Sequence, residues 1–142
     1  MNLSALLISA DPSISDLLPP VLSGQRFSVT TVPGIEGALQ FIAETPPHVV
    51  IVDLSGTDED GRELCRAIRL ASNVPILVLS ALNAPSIIAR LLDAGADDYL
   101  VKPVTIAVLM AHLKKLVRQT GALGQSKPEP ADWVRNTQPL TP

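Results

Sequence analysis

The sequence predicts an α/β fold: a doubly wound, five-stranded parallel sheet in one domain. Two patterns carry that expectation. Five short aliphatic runs alternate with five longer segments of helical period across residues 1–120, the order that places helices on both faces of a parallel sheet. The runs are continuously apolar rather than alternating, as strands buried on both faces are. Composition agrees. Of the 142 residues, 46% are hydrophobic and 3% aromatic, enough for one sizeable core built from Leu, Ile, Val and Ala.

The elements follow in order. Strands are expected at 6–9, 29–32, 49–52, 76–79 and 99–101, and helices at 12–23, 35–44, 61–71, 85–94 and 105–119. Asp11 followed by Pro12 is a good start for the first helix, with the carboxylate as N-cap and proline in the first turn. Gly24 is expected to end that helix and Gly95 the fourth. From Gly121 the texture changes: residues 121–142 hold four of the 13 prolines and show no period. This segment reads as a linker or tail, in which Trp133 is expected to be unstructured.

Several function classes are excluded or disfavoured. A net charge of −3 and four dispersed aromatics, Phe27, Phe41, Tyr99 and Trp133, give neither the basic stripe nor the stacking platform of a nucleic-acid binder. The single cysteine, Cys65, rules out an internal disulfide and reads as a half-buried apolar residue on a helix. His48 and His112 have no partner at metal-ligand spacing. The longest purely aliphatic runs are about four residues, so no span of the membrane is expected. The N-terminus lacks a basic n-region, so a cytoplasmic location is expected.

In a doubly wound sheet, ligands bind at the carboxyl ends of the strands. The residues there are Ser9, Ala10 and Asp11 after the first strand, Asp53 after the third, Ser80 and Ala81 after the fourth, and Lys102 with Pro103 after the fifth. A carboxylate, a hydroxyl and an ammonium on one rim suit an acyl-phosphate site, the carboxylate being the nucleophile and the other two holding phosphoryl oxygens.

Four motifs then identify a resemblance: VVIVD ending in Asp53, Gly61 in DEDGREL, PILVLSA with Ser80 and Ala81, and GADDYLVKP at 95–103. Together they resemble the receiver domain of bacterial response regulators over residues 3–119, and GADDYLVKP with the preceding LLDA is similar to the OmpR/PhoB branch. The resemblance implies a flavodoxin-like (βα)5 fold shared with CheY and a non-enzymatic switch in two-component signalling. It implies Asp53 as phosphoacceptor, Ser80 as the hydroxyl that bonds the phosphoryl group, Tyr99 as aromatic switch, Lys102 as the invariant lysine, and a cis bond between Lys102 and Pro103.

The departures from the family pattern carry further expectations. Ser9 and Ala10 stand where the family has two adjacent acids that hold a divalent metal with the phosphoacceptor. Asp11 is the nearest remaining acid, and its expected role is the N-cap. Mg²⁺ usually takes one or two carboxylates besides phosphate and water, so no resident cofactor is expected and any Mg²⁺ site at Asp53 should be weak. Thr57 replaces a usual proline and Val104 a usual phenylalanine. The expected protein is an atypical receiver with impaired Mg²⁺-dependent phosphorylation.

OmpR-like receivers commonly dimerise through the fourth helix, last strand and fifth helix. Here Asp97 and Asp98 are retained, His112 and Gln119 stand where basic partners are typical, and Ile88 and Val108 replace charged residues. With Ile87 and Leu91 they suggest an apolar face, so a homodimer through it is expected, driven by aliphatic burial. A sensor histidine kinase is a further possible partner, with no direct contact to membrane or nucleic acid. An OmpR-type DNA-binding domain would need roughly 100 more residues; the tail favours a receiver cut from such a regulator over a stand-alone one. Two other readings remain: a ligand-responsive receiver-like module, and a haloacid-dehalogenase-like phosphatase suggested by DLSGT at 53–57, where Ser55 stands at the general-acid position.

Overall fold

A computed structural model describes residues 2–120. The expected linker 121–142 and Trp133 lie outside the described residues. The sheet has five parallel strands: β1 (Leu3–Ile8), β2 (Phe27–Val32), β3 (Val49–Leu54), β4 (Ile76–Ser80) and β5 (Asp98–Val101). Their spatial order is β2-β1-β3-β4-β5, the flavodoxin-like order whose switch point lies between β1 and β3.

Among the described residues, six helices cover the faces: α1 (Pro12–Ser15), α2 (Leu18–Ser23), α3 (Ile35–Glu44), α4 (Asp58–Ala71), α5 (Pro85–Asp93) and α6 (Ile106–Gln119). The fourth and fifth predicted helices are therefore α5 and α6. The predicted first helix is two pieces, for a simple reason. Pro19 and Pro20 have no N–H to give the carbonyls of Ser15 and Asp16, and their rings crowd the same carbonyls. Gly24 does not take the left-handed turn expected of it; its φ is −64°, and Arg26 takes that conformation two residues later at φ 71°. Gly95 does adopt a positive φ, 129°, with its amide bonded to Leu92 O.

β1 begins three residues before its apolar run because Ser4 is satisfied inside the sheet: its amide donates to His48 Nδ1 at 2.9 Å. α4 begins at Asp58 because Thr57 Oγ1 accepts from the Asp60 amide at 3.3 Å. Asp58, Glu59 and Asp60 then complement the positive end of the helix dipole.

Two core layers sandwich the sheet. One joins Leu7, Phe27, Ile51, Leu77 and Leu113 under α2 and α6. The other joins Leu6, Val50, Ile68, Val78 and Leu91 under α3, α4 and α5. Leu91 corrects an expectation: it is fully buried rather than part of a dimer face. Burying a leucine side chain is worth roughly 2 kcal/mol, so the sheet claims it before any partner can. Cys65 is likewise fully buried rather than half-buried, and desolvation pushes its thiol up to about 11. No helix among the described residues is long and apolar enough to cross a membrane.

Candidate functional site

Strand register assembles the rim. Ile8 pairs with Val52, so Ser9 and Asp53 follow side by side at the switch point. Leu54 pairs with Ser80, and Ser80 with Val101, which brings Lys102 to the same end of the sheet. The Lys102 amide donates to Ser80 O at 2.8 Å, and the Lys102–Pro103 peptide is cis, as the resemblance implied.

Asp53 is the buried acid of this rim, its side chain wholly shielded from solvent. An unpaired carboxylate there would cost several kcal/mol. Two donors meet it. Ser9 Oγ donates to Oδ2 at 2.8 Å, and Lys102 Nζ forms an ion pair with Oδ1. Ser9 is itself buried, and its Oγ also accepts from the Asp11 amide at 3.1 Å, which holds the hydroxyl in place. A cleft of about 300 Å³ opens beside Asp53, lined in part by Ser9, Ala10, Gly34, Ser55 and Asp60.

The other predicted residues divide into three groups. Ser80 and Tyr99 meet at one residue of the β4–α5 loop: Ser80 Oγ accepts from Leu82 N at 3.1 Å, and Tyr99 Oη donates to Leu82 O at 2.6 Å. Ala10 and Ala81 contribute no polar side-chain atom. Asp11 turns to its own helix, Oδ1 accepting from Ser13 N at 2.9 Å and Ser13 Oγ at 2.8 Å. Those bonds hold its carboxyl below the usual range.

Oxygen donors around Asp53 do not fit a divalent cation. Ser9 places a hydroxyl proton on one carboxylate oxygen, Lys102 places an ammonium on the other, and Ala10 offers nothing. Among the described residues no group of three or more His, Cys, Asp and Glu stands together as a metal cluster.

On the α5–β5–α6 face, Val108 and Val101 are exposed and Ile87 and Ile88 half-buried, Ile87 packing against the core. Asp98 Oδ2 and His112 Nδ1 lie 2.5 Å apart within the chain. Asp97 is also committed internally. Its Oδ2 accepts from Arg69 Nη2 at 2.7 Å and from the Ile76 amide at 2.8 Å. Sequence reasoning missed Arg69, whose guanidinium also reaches Ser72 O, Val74 O and Gly95 O. Nothing in the local pattern of α4 marks it, because its partners lie in two turns outside the helix, at 72–74 and 95–97.

The comparisons agree with this geometry. The family model described as response regulator receiver domain matches residues 5–114. The response regulator protein GraR of Staphylococcus haemolyticus is 33% identical over 92% of this chain and 58% of its own length. The DNA-binding response regulator MtrA of Mycolicibacterium smegmatis is 31% identical over 94% of this chain and 56% of its own. The chain thus spans little more than half the length of these relatives, which are OmpR-like, the branch GADDYLVKP resembles. Among solved structures, the receiver domain of Klebsiella pneumoniae RstA, in its BeF3-activated form, is 30% identical with a TM-score of 0.75, covering 82% of this chain and 99% of that one. A two-component response regulator from Clostridium difficile is 27% identical with a TM-score of 0.77, covering 84% and 98%. With the register, the rim and the family model all in accord, the chain belongs to the response regulator receiver family.

Proposed function

We propose that this receiver domain is not switched by ordinary Mg²⁺-dependent phosphorylation of Asp53. The observation that carries the reading is the hydroxyl of Ser9 on Asp53 Oδ2 at 2.8 Å, with Lys102 on the other oxygen. Phosphoryl transfer to a carboxylate relies on positioning and on metal neutralisation of the phosphoryl oxygens. Here the carboxylate is already neutralised from within the chain, at the place where a cation would act. Asp53 remains the phosphoacceptor position, and Ser80, Tyr99 and Lys102 remain the groups that would respond to it. The domain acts without catalysing a reaction of its own.

In this reading the output is self-association through α5, β5 and α6, using Ile88, Val101 and Val108 beside the Asp98–His112 pair. Apolar burial replaces ion pairs as the driving force, so the dimer forms without activation. The domain regulates an attached DNA-binding domain in the cytoplasm, and a sensor histidine kinase is a candidate partner.

Calorimetric titration with Mg²⁺ tests the metal half of the proposal. The expected result is no saturable heat at millimolar Mg²⁺; a stoichiometric site abolished by Asp53→Asn contradicts it.

A further inference from the structure

A second cavity, of about 600 Å³, has Lys102 in its wall and shares no lining residue with the cleft beside Asp53. Its walls come from five separate parts of the fold: Ile14 of α1, Leu18 of α2, Leu79 of β4, Val104 of the loop after β5, and Leu109 of α6. Leu18, Leu79 and Leu109 are core residues, so the cavity reaches down to the sheet layer. Its size and its aliphatic lining with few polar groups are those of a small-molecule site.

The polar groups on its wall restrict the occupant. Lys102, Asp11 and Ser13 line it, the Ser13 hydroxyl being given to Asp11. The Lys102 ammonium has three donors; its ion pair with Asp53 leaves donors for a further acceptor. The charges of Lys102, Asp53 and Asp11 sum to one excess negative charge. An anion is therefore disfavoured, and a cation would be repelled by the Lys102 ammonium while the Asp11 carboxylate is already taken up by Ser13. A neutral acceptor group meets neither objection.

We propose that this cavity binds an uncharged, largely apolar small molecule bearing a carbonyl-type acceptor, held by aliphatic burial and a hydrogen bond from Lys102. The proposal does not rest on how Asp53 is regulated, and phosphorylation of Asp53 would leave it standing.

The full chain is titrated with PRODAN, an uncharged naphthalene ketone whose emission moves to the blue on leaving water. The expected result is saturable one-to-one binding, with shifts of the Ile14, Leu18, Val104 and Leu109 methyl resonances. Val104→Phe, which fills the cavity, should weaken binding by about tenfold or more, since even one methylene changes the fit of an apolar pocket by that much. Anilinonaphthalene sulfonate, an anionic dye of similar size, should bind more weakly than PRODAN. Absence of saturable binding, methyl shifts confined to other surfaces, or equal affinity for the anionic dye overturns the proposal. Unchanged affinity in a folded Val104→Phe protein does the same. If that variant does not fold, the methyl shifts of the unaltered protein decide.

Discussion

Ser9 and Asp53 come from strands 44 residues apart in sequence, and the hydroxyl of one donates to the carboxylate of the other at 2.8 Å. The register of β1 on β3 makes them neighbours, and both are buried, so one bond satisfies a polar group on each. Replacing Ser9 and Ala10 together by aspartate should convert this hydrogen-bonded carboxylate into a cluster of three acids. The expected outcome is an Mg²⁺ site, detected by calorimetry in the double variant and absent from the parent. Stability should fall in the metal-free double variant, because like charges then share one buried rim.

The parent protein is expected to be a dimer by multi-angle light scattering, and Ile88→Glu, and separately Val108→Glu, should give a monomer. Either change places a charge on the apolar face of α5 or α6 without touching the core. An unchanged mass in both variants places the contact elsewhere.

Arg69 should matter more than its half-exposed position on α4 suggests. It donates to three carbonyls and to Asp97, tying the end of α4 to the turns before β4 and β5. Arg69→Ala is expected to cost about 2–3 kcal/mol in urea unfolding, the range for losing charge-assisted hydrogen bonds. Because Asp97 serves this clasp, Asp97→Ala should lower stability as well, a result a purely dimer-facing aspartate would not give.

Cys65 gives a pH-dependent prediction. Burial raises its thiol from 9.0 to about 11, so near pH 8 the folded chain holds roughly a hundredfold less thiolate than an exposed cysteine. Native protein should resist a thiol reagent that labels the urea-unfolded chain at once. The folded thiol keeps its proton where the unfolded one loses it. This contribution is therefore intact below pH 9 and stability declines as pH rises toward about 11, by the linkage of proton binding to unfolding.

Much of this was readable in the sequence, for identifiable reasons. Helix α3 falls on its expected bounds because its apolar period is uninterrupted, and β3 stands out because all six of its residues are buried. The meeting of Asp53 and Lys102 followed from strand order. What was not readable depends on partners distant in sequence. The Ser4–His48 bond extends β1 through a polar residue, the clasp commits Asp97 to Arg69 and the Ile76 amide, and Leu91 points into the core because α5 is held against α4. The vacated acid positions were legible; that Ser9 would itself bind Asp53 required the register.

The central claim is that Asp53 does not take a phosphoryl group by the Mg²⁺-dependent route. The direct measurement is intact mass after incubation with a small-molecule phosphodonor and Mg²⁺. No stoichiometric phosphoryl adduct is expected. A full adduct in the parent protein that disappears in Asp53→Asn would contradict the account.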